Sequence, residues 1–305
     1  MTLALIAGQG GLPQHLVSFL RARGEVPLLC EDENLPSSVA DMVPRIGFRL
    51  EKLGTLLKVL REAGVTHLCM AGAVRRPRVD PALMDSETMP LVPRFMQAMA
   101  KGDDAILRAF VGLFEEAGMT VIGAADIDPD LLPETGAFGD VAVPEGLAPD
   151  LVAAEAALQE MGAADLGQAV VVRDGAVIAR EEDAGTDAML DALAPGDKPL
   201  SADPLDAMGE MLDSVADWLS GPEAETARRQ APAQGGILYK APKPGQELRV
   251  DMPVIGPDTV LRSAHAGLRG IVIEEGGVMI IDQNGVIEQL KARGLFLWVR
   301  PGTLA

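Results

Sequence analysis

Hydrophobic positions over residues 1–123 switch between short solid runs and helical spacing. Residues 2–7 are an apolar run broken by Gly8-Gln9-Gly10-Gly11. That pattern predicts a buried strand, a tight turn and then a helix over 13–23. Pro13 fits the first helical turn, where its missing N–H would be unpaired anyway. Residues 26–30 predict a second strand, which ends at acidic Glu31. Leu53, Leu56, Leu57 and Leu60 share one face of a predicted helix over 50–63. Residues 67–71 read as a strand ending at Gly72, and 119–123 as another. Between them an amphipathic helix over 103–117 carries Asp103 and Asp104 at its positive end. Strands alternating with helices predict a parallel, doubly wound sheet.

The stretch 124–146 is interrupted by Pro129, Pro133, Gly136, Gly139, Pro144 and Gly146, the composition of a connection. We place an N-terminal domain at 1–130, a linker at 131–147 and a C-terminal domain at 148–305. In the second domain the pattern predicts helices over 149–161, 185–193, 257–266 and 284–293. Strands are expected over 169–172 and 176–180, joined through Asp174-Gly175, a dipeptide that favours tight hairpins. Further strands are expected over 236–240, 248–251, 270–274, 277–282 and 295–300. This half is mixed α/β. Residues 195–235 differ: rich in Pro, Gly, Asp and Glu, with one helical patch over 205–219, they read as an acidic insertion.

Charge sharpens this division. The net charge is -19, and residues 181–225 hold one base and 13 acids. Much of the acidity is therefore local, and the remainder can present cations to a phosphate. Such a surface, with only 3% aromatics for base stacking, argues against a nucleic-acid partner. Cys30 and Cys69 follow apolar runs and read as buried free thiols. No apolar run reaches the roughly 20 residues that span a bilayer, and the chain opens on a strand instead of a leader. These features predict a cytoplasmic protein with at most peripheral contact with a membrane.

Candidate chemistry is scattered. Gly8, Gly10 and Gly11 at a strand-to-helix turn suit close approach of a nucleotide or phosphate. They also suit a purely structural turn, and Pro13 stands where a dinucleotide fingerprint wants Gly or Ala. Gly72 is followed by Arg75, Arg76 and Arg78, which are either phosphate contacts or surface charge. Lys101-Gly-Asp-Asp104 reads as helix initiation. Thr186 and Asp187 open a helix and are candidates for phosphate and metal, or ordinary caps. Residues 239–253 crowd Lys240, Lys243, Gln246, Glu247, Arg249 and Asp251 between apolar runs. Cations fit phosphoryl oxygens, and a carboxylate can hold Mg²⁺ or orient water. His15, His67 and His265 have no ligand spacing and read as structural. Met84, Met89, Met96 and Met99 suit a core or a lipid-facing groove. There is no nucleophile elbow and no Walker loop.

Taken together, these motifs resemble the LpxI family of UDP-2,3-diacylglucosamine pyrophosphatases. The matching pieces are 5–13, 71–77, 101–104, Asp165-Leu-Gly-Gln168, 182–190, 240–246, Arg249-Val-Asp-Met-Pro253 and Ile255-Gly256. The resemblance implies a Rossmann-like N-terminal domain and a mixed α/β C-terminal domain, with ligand held between them. It implies Mg²⁺-dependent attack of water on the α-phosphorus, giving UMP and 2,3-diacylglucosamine 1-phosphate in lipid A synthesis. It places the family's essential aspartate at Asp251. On that basis Asp251, with Asp187, is the expected metal ligand, Mn²⁺ being an alternative to Mg²⁺. Lys240, Lys243 and Gln246 are expected on the diphosphate with Thr186. Gly8, Gly10, Gly11, Gly72 and Arg75 are expected to contact substrate. The segment between Leu190 and Lys240 is longer than the family usually has, and it is very acidic.

Two other readings use the same residues. A nicotinamide-dependent oxidoreductase would use Gly8, Gly10 and Glu31. A nucleotide-sugar sensor would bind without turnover. The sequence leaves homodimer formation open.

Overall fold

The computed structural model describes residues 2–73, 79–195 and 233–302. The chain divides into two units, Met1–Leu131 with Gly245–Met252, and Leu132–Pro244 with Pro253–Ala305. Arg75 and most of the acidic insertion, including its helical patch, lie outside the described residues.

The first unit runs β1 (Leu3–Ala7), α1 (Gly11–Ala22), β2 (Leu28–Asp32), β3 (Arg45–Phe48), α2 (Leu53–Glu62) and β4 (His67–Ala71). It continues with α3 (Val92–Met99), α4 (Asp103–Glu116), β5 (Thr120–Ile122) and α5 (Ala124–Ile127). The strands form one all-parallel sheet in the order β3-β2-β1-β4-β5. This is the doubly wound arrangement that the alternating pattern predicts. β2 starts later than expected, because Pro27 cannot donate a ladder hydrogen bond. β3 was missed: it is a four-residue edge strand with alternate residues exposed. α3 was missed as well, its start masked by Pro93, which the first turn accommodates.

Leu53, Leu56 and Leu60 of α2 are buried with Leu68, Val121, Leu113 and Phe114, while Leu57 is only partly buried. Full burial of each such side chain contributes about 1.5–3 kcal/mol. Gly54 lets α2 lie directly on the 87–88 backbone. A Cβ there would sit 2.3 Å from the Glu87 carbonyl carbon and oxygen, and Gly54 N donates to Thr88 Oγ1 at 2.9 Å.

The second unit comprises β6 (Gly136–Phe138), α6 (Ala148–Ala163), β7 (Ala169–Arg173), β8 (Ala176–Arg180), α7 (Gly185–Leu193) and β9 (Ile237–Lys240). After β9 come β10 (Val254–Ile255), α8 (Pro257–His265), β11 (Gly270–Glu274), β12 (Met279–Ile280), α9 (Gln283–Arg293) and β13 (Phe296–Arg300). Its main sheet has the order β6-β13-β11-β9-β7-β8. β9, β11 and β13 are parallel; β6, β7 and β8 join antiparallel. The β7–β8 hairpin turns on Asp174 (φ 52°) and Gly175 (φ 75°), the double left-handed turn that Asp-Gly favours.

Three details differ from the pattern reading. β6, within the stretch read as linker, pairs with β13. The apolar run 277–282 contributes only β12, which pairs with β10 in a separate two-stranded sheet. Residues 248–251 form a turn and no strand. There Val250 N and Asp251 N both donate to the Glu247 carbonyl at 3.1 Å, so local bonds take donors a ladder would need.

Both cysteines are buried free thiols, and burial pushes each up to about 12. Two expectations follow from these packing facts. Gly54→Ala should cost about 2–3 kcal/mol in a denaturant melt, since backbone must move to admit the methyl. In the native protein, a colorimetric disulfide reagent should label neither thiol until denaturant is added, and rapid labelling of both would contradict their burial.

Candidate functional site

At the carboxyl edge of the first sheet, the turns after β1 and β4 are joined to each other. Gln9 N donates to Ala73 O at 2.8 Å, and Ala73 N to Gln9 O at 2.9 Å. A Cβ on Gly8 would lie 2.5 Å from Ala73 O, and one on Gly72 would lie 2.6 Å from Gln9 O. These two glycines are thus required by chain-to-chain approach, whatever ligand comes near. Gly10 differs: its φ of 94° demands glycine, while the space beside it is open at the start of α1, where Gly11 is the first helical residue. Glu31, nearby in the sheet, has both carboxylate oxygens engaged. Oε1 accepts from Ser37 N and Oγ at 3.1 and 2.5 Å, and Oε2 from Arg45 at 2.8 Å. Burial raises its pKa, but these hydrogen bonds outweigh that and hold it below the usual carboxylate range. A ribose hydroxyl would have to displace them.

The segment 245–252 belongs to the first unit and is clamped to α4. Asp104 Oδ1 accepts from Glu247 N at 3.1 Å, and Asp104 Oδ2 pairs with Arg108 Nε at 2.7 Å. Arg108 also donates to the Gly245 carbonyl. Arg249 grips Glu247 with two bonds, 2.8 and 2.9 Å, and reaches Glu115 at 2.8 Å. Val250 packs against the first unit's core. Gly123, just after β5, leaves room for the chain: its Cβ would be 3.4 Å from Arg249 Cα. Held this way, the half-buried Asp251 receives Gln246 Nε2 on Oδ2 at 2.5 Å, and the same amide reaches the Asp251 carbonyl. Gln246 was expected on the diphosphate; in the structure it orients Asp251.

In the second unit, Lys240 ends the central strand β9 and is buried, with only 8% of its surface exposed. Its ammonium donates to Thr186 Oγ1 at 2.9 Å and to the Val254 carbonyl at 3.1 Å. Thr186 is buried near the start of α7. Lys243 pairs with Asp165 at 2.7 Å. Asp187 is different, being mostly exposed and 3.7 Å from Arg262 Nε, whose guanidinium also binds Asp191.

Comparison with known proteins adds to this geometry. The family model described as the LpxI N-terminal domain matches residues 2–131, and the LpxI C-terminal domain matches 134–298. A relative from Caulobacter vibrioides, named UDP-2,3-diacylglucosamine pyrophosphatase LpxI, is 35% identical over 296 residues, covering 97% of this chain and 96% of its own. The chain belongs to the LpxI family. Its shared motifs therefore have visible duties here. Lys101-Gly-Asp-Asp104 does more than initiate α4, since Asp104 anchors the segment that carries Asp251. Asp165 holds Lys243.

For the metal that the family resemblance implies, the donor set is sparse. Among the described residues no three His, Cys, Asp or Glu side chains gather to hold an ion. Mg²⁺ needs no such cage: it commonly uses one or two carboxylates with water and substrate phosphates. Asp251 suits that mode, because its carboxylate is already oriented by a neighbouring amide, as ligating carboxylates usually are.

Arg108 was not singled out in the sequence, and Glu247 stood out only as one of the crowded polar groups of 239–253, with no role of its own. The signal that could have found them is the unlike charge at Glu247 and Arg249, two apart in a loop, together with Asp104 and Arg108 four apart on a helix. The Glu247 carboxyl is held below its usual range, chiefly by the Arg249 hydrogen bond. A depressed carboxyl contributes stability that is present above its unfolded pKa and lost as pH falls through the folded value. Acidification below about pH 4.5 should therefore loosen the clamp. Limited proteolysis within 244–253 by an acid-active protease should accelerate there. Glu247→Gln should be cut there readily by a protease active at neutral pH, and the acid-active protease should find a smaller further response to acid.

Proposed function

We propose that this chain hydrolyses the diphosphate of UDP-2,3-diacylglucosamine, releasing UMP and 2,3-diacylglucosamine 1-phosphate for lipid A synthesis. The observation that carries this reading is the match of both halves to the LpxI domain models, with a relative of that activity aligned over nearly the whole chain. In the reaction, a water oxygen bonds to the α-phosphorus and the bond to the bridging oxygen breaks. The bridging oxygen leaves with the sugar 1-phosphate, and the water gives up a proton.

Such chemistry needs neutralised charge and a placed water more than a nucleophilic side chain. Lys240 and Lys243 meet the first need as fixed cations, each already held by an oxygen partner. The Asp251 carboxylate, oriented by Gln246, meets the second by orienting water or taking its proton. The start of α1 at Gly10 and Gly11 offers backbone N–H groups to a phosphate. Gly8 and Gly72 shape that turn. Mg²⁺, or Mn²⁺ in its place, would supply further positive charge to the phosphoryl oxygens when bound. We assign it to Asp251, because the Arg262 guanidinium already faces Asp187. Thr186 serves through Lys240. Arg75 remains a candidate phosphate contact on sequence grounds. The lipid substrate would bring the protein to the inner membrane surface, a peripheral contact that suits a chain in which no described helix is long and apolar enough to cross a membrane.

The test is UMP release from UDP-2,3-diacylglucosamine with Mg²⁺, comparing wild type with Asp251→Ala. Wild type should turn over, and the folded variant should lose about 100-fold or more in kcat. Chelation should abolish release, and Mg²⁺ or Mn²⁺ should restore it. Wild type that binds the nucleotide sugar without releasing UMP under either metal would replace this reading with that of a sensor.

A further inference from the structure

Gly167 and Gln168 of the Asp165-Leu-Gly-Gln168 motif and the carboxylate of Glu181 are not used by the reaction above, yet they meet. Glu181 follows β8, and its backbone N donates to Ala169 O at 2.9 Å. Its Oε2 accepts from Gln168 N at 2.8 Å, and its Oε1 accepts from Thr186 Oγ1 at 2.9 Å. Gly167 makes this possible. A Cβ there would lie 2.5 Å from the Glu181 carbonyl oxygen and 2.6 Å from the Glu181 Cβ. The Thr186 hydroxyl has a single proton, and it is given to Glu181; its lone pairs are thereby turned to Lys240 Nζ, 2.9 Å away. A second ammonium N–H is fixed on the Val254 carbonyl. These two bonds fix the direction of the ammonium in its buried seat.

We propose that Glu181 is a positioning residue for the phosphate-neutralising ammonium of Lys240, acting through the Thr186 hydroxyl. This rests on the reading of Lys240 given above. The relay makes Lys240 a directional donor as well as a point charge, in a buried setting where a misdirected ammonium is costly to reorient. Gly167 and Gln168 hold the carboxylate at the start of β7. Asp165, three residues before Gln168, holds Lys243, so one short motif restrains both lysines.

The experiment is a double-mutant cycle on the full chain with Glu181→Ala and Thr186→Val, read as kcat and KM for UMP release. Each single variant should lose about 10- to 100-fold in kcat with KM changed less than about threefold. The double variant should be no more than about threefold below Thr186→Val, because the two residues act in series. Losses that multiply, or a Glu181→Ala enzyme with wild-type kcat, would overturn the proposal. If Glu181→Ala fails to fold by circular dichroism, Glu181→Gln replaces it. Its carbonyl still accepts from Thr186, but its amide cannot accept from Gln168 N–H, so a smaller loss is expected, and wild-type kcat would again overturn it. If wild type releases no UMP, the proposed function fails and the relay is judged by a crystal structure of the variant. Lys240 Nζ displaced from Thr186 would support it, and Nζ in its wild-type place would sink it.

Discussion

The two-bond grip of Arg249 on Glu247 is the contact on which the first unit's candidate chemistry depends. It closes a loop drawn from late in the sequence and, with Arg108 and Asp104, fastens it to α4. Planar guanidinium and carboxylate forks pair with fixed geometry, so the loop is held in orientation as well as position. Gln246 and Asp251 inherit that orientation. An isolated surface ion pair contributes little; here the charges form a network that also takes up backbone groups, and Val250 seals it with apolar contact.

A different device serves the second unit. Lys240 is buried at the end of a central strand, where an uncompensated ammonium would be expensive. The hydroxyl of Thr186 and the Val254 carbonyl meet it directly, and the Glu181 carboxylate stands behind Thr186. Neutral oxygens with a carboxylate behind them thus fix the direction of the ammonium. Tyr239, next to it on the strand, shows the same economy on the opposite face. Its hydroxyl donates to Glu274 at 2.6 Å, and burial, with Glu274 beside it, pushes its pKa well above the usual tyrosine value.

Much of this was legible in the sequence where a pattern is local. The solid runs at 2–7 and 67–71, the leucine face of α2 and the Asp-Gly hairpin each depend on neighbours in the chain, and they fold as their spacing says. Burial of Cys30 and Cys69 followed from the runs that precede them. What escaped depends on particular hydrogen bonds that no hydrophobic periodicity carries. Residues 248–251 look like a strand because Leu248 and Val250 alternate with Arg249 and Asp251. Their backbone donors are instead spent within the turn, and Arg249 is drawn to Glu247 and Glu115. Gln246 reads as a phosphate ligand, and the structure adds a contact that the sequence does not announce, its amide on Asp251. Gly8 and Gly72 suggest a ligand, yet each is already required by the other's turn. The Asp104–Arg108 pair has helical i,i+4 spacing that could have marked it, whereas the Thr186–Glu181 hydrogen bond leaves no periodic signature.

The excursion of residues 245–252 also bears on how the molecule is made. A unit whose α4 is covered by a loop encoded near the C-terminal end cannot be completed when its own 131 residues emerge from the ribosome. Chains are synthesised at roughly 5–20 residues per second. The nascent first sheet must therefore wait several seconds or more for its cover, while the intervening residues are translated. During that interval Arg108, Asp104 and the apolar seat of Val250 are open to water or to chaperones. The acidic intervening 181–225 stretch then acquires a benefit to solubility, since like charge keeps incomplete chains apart.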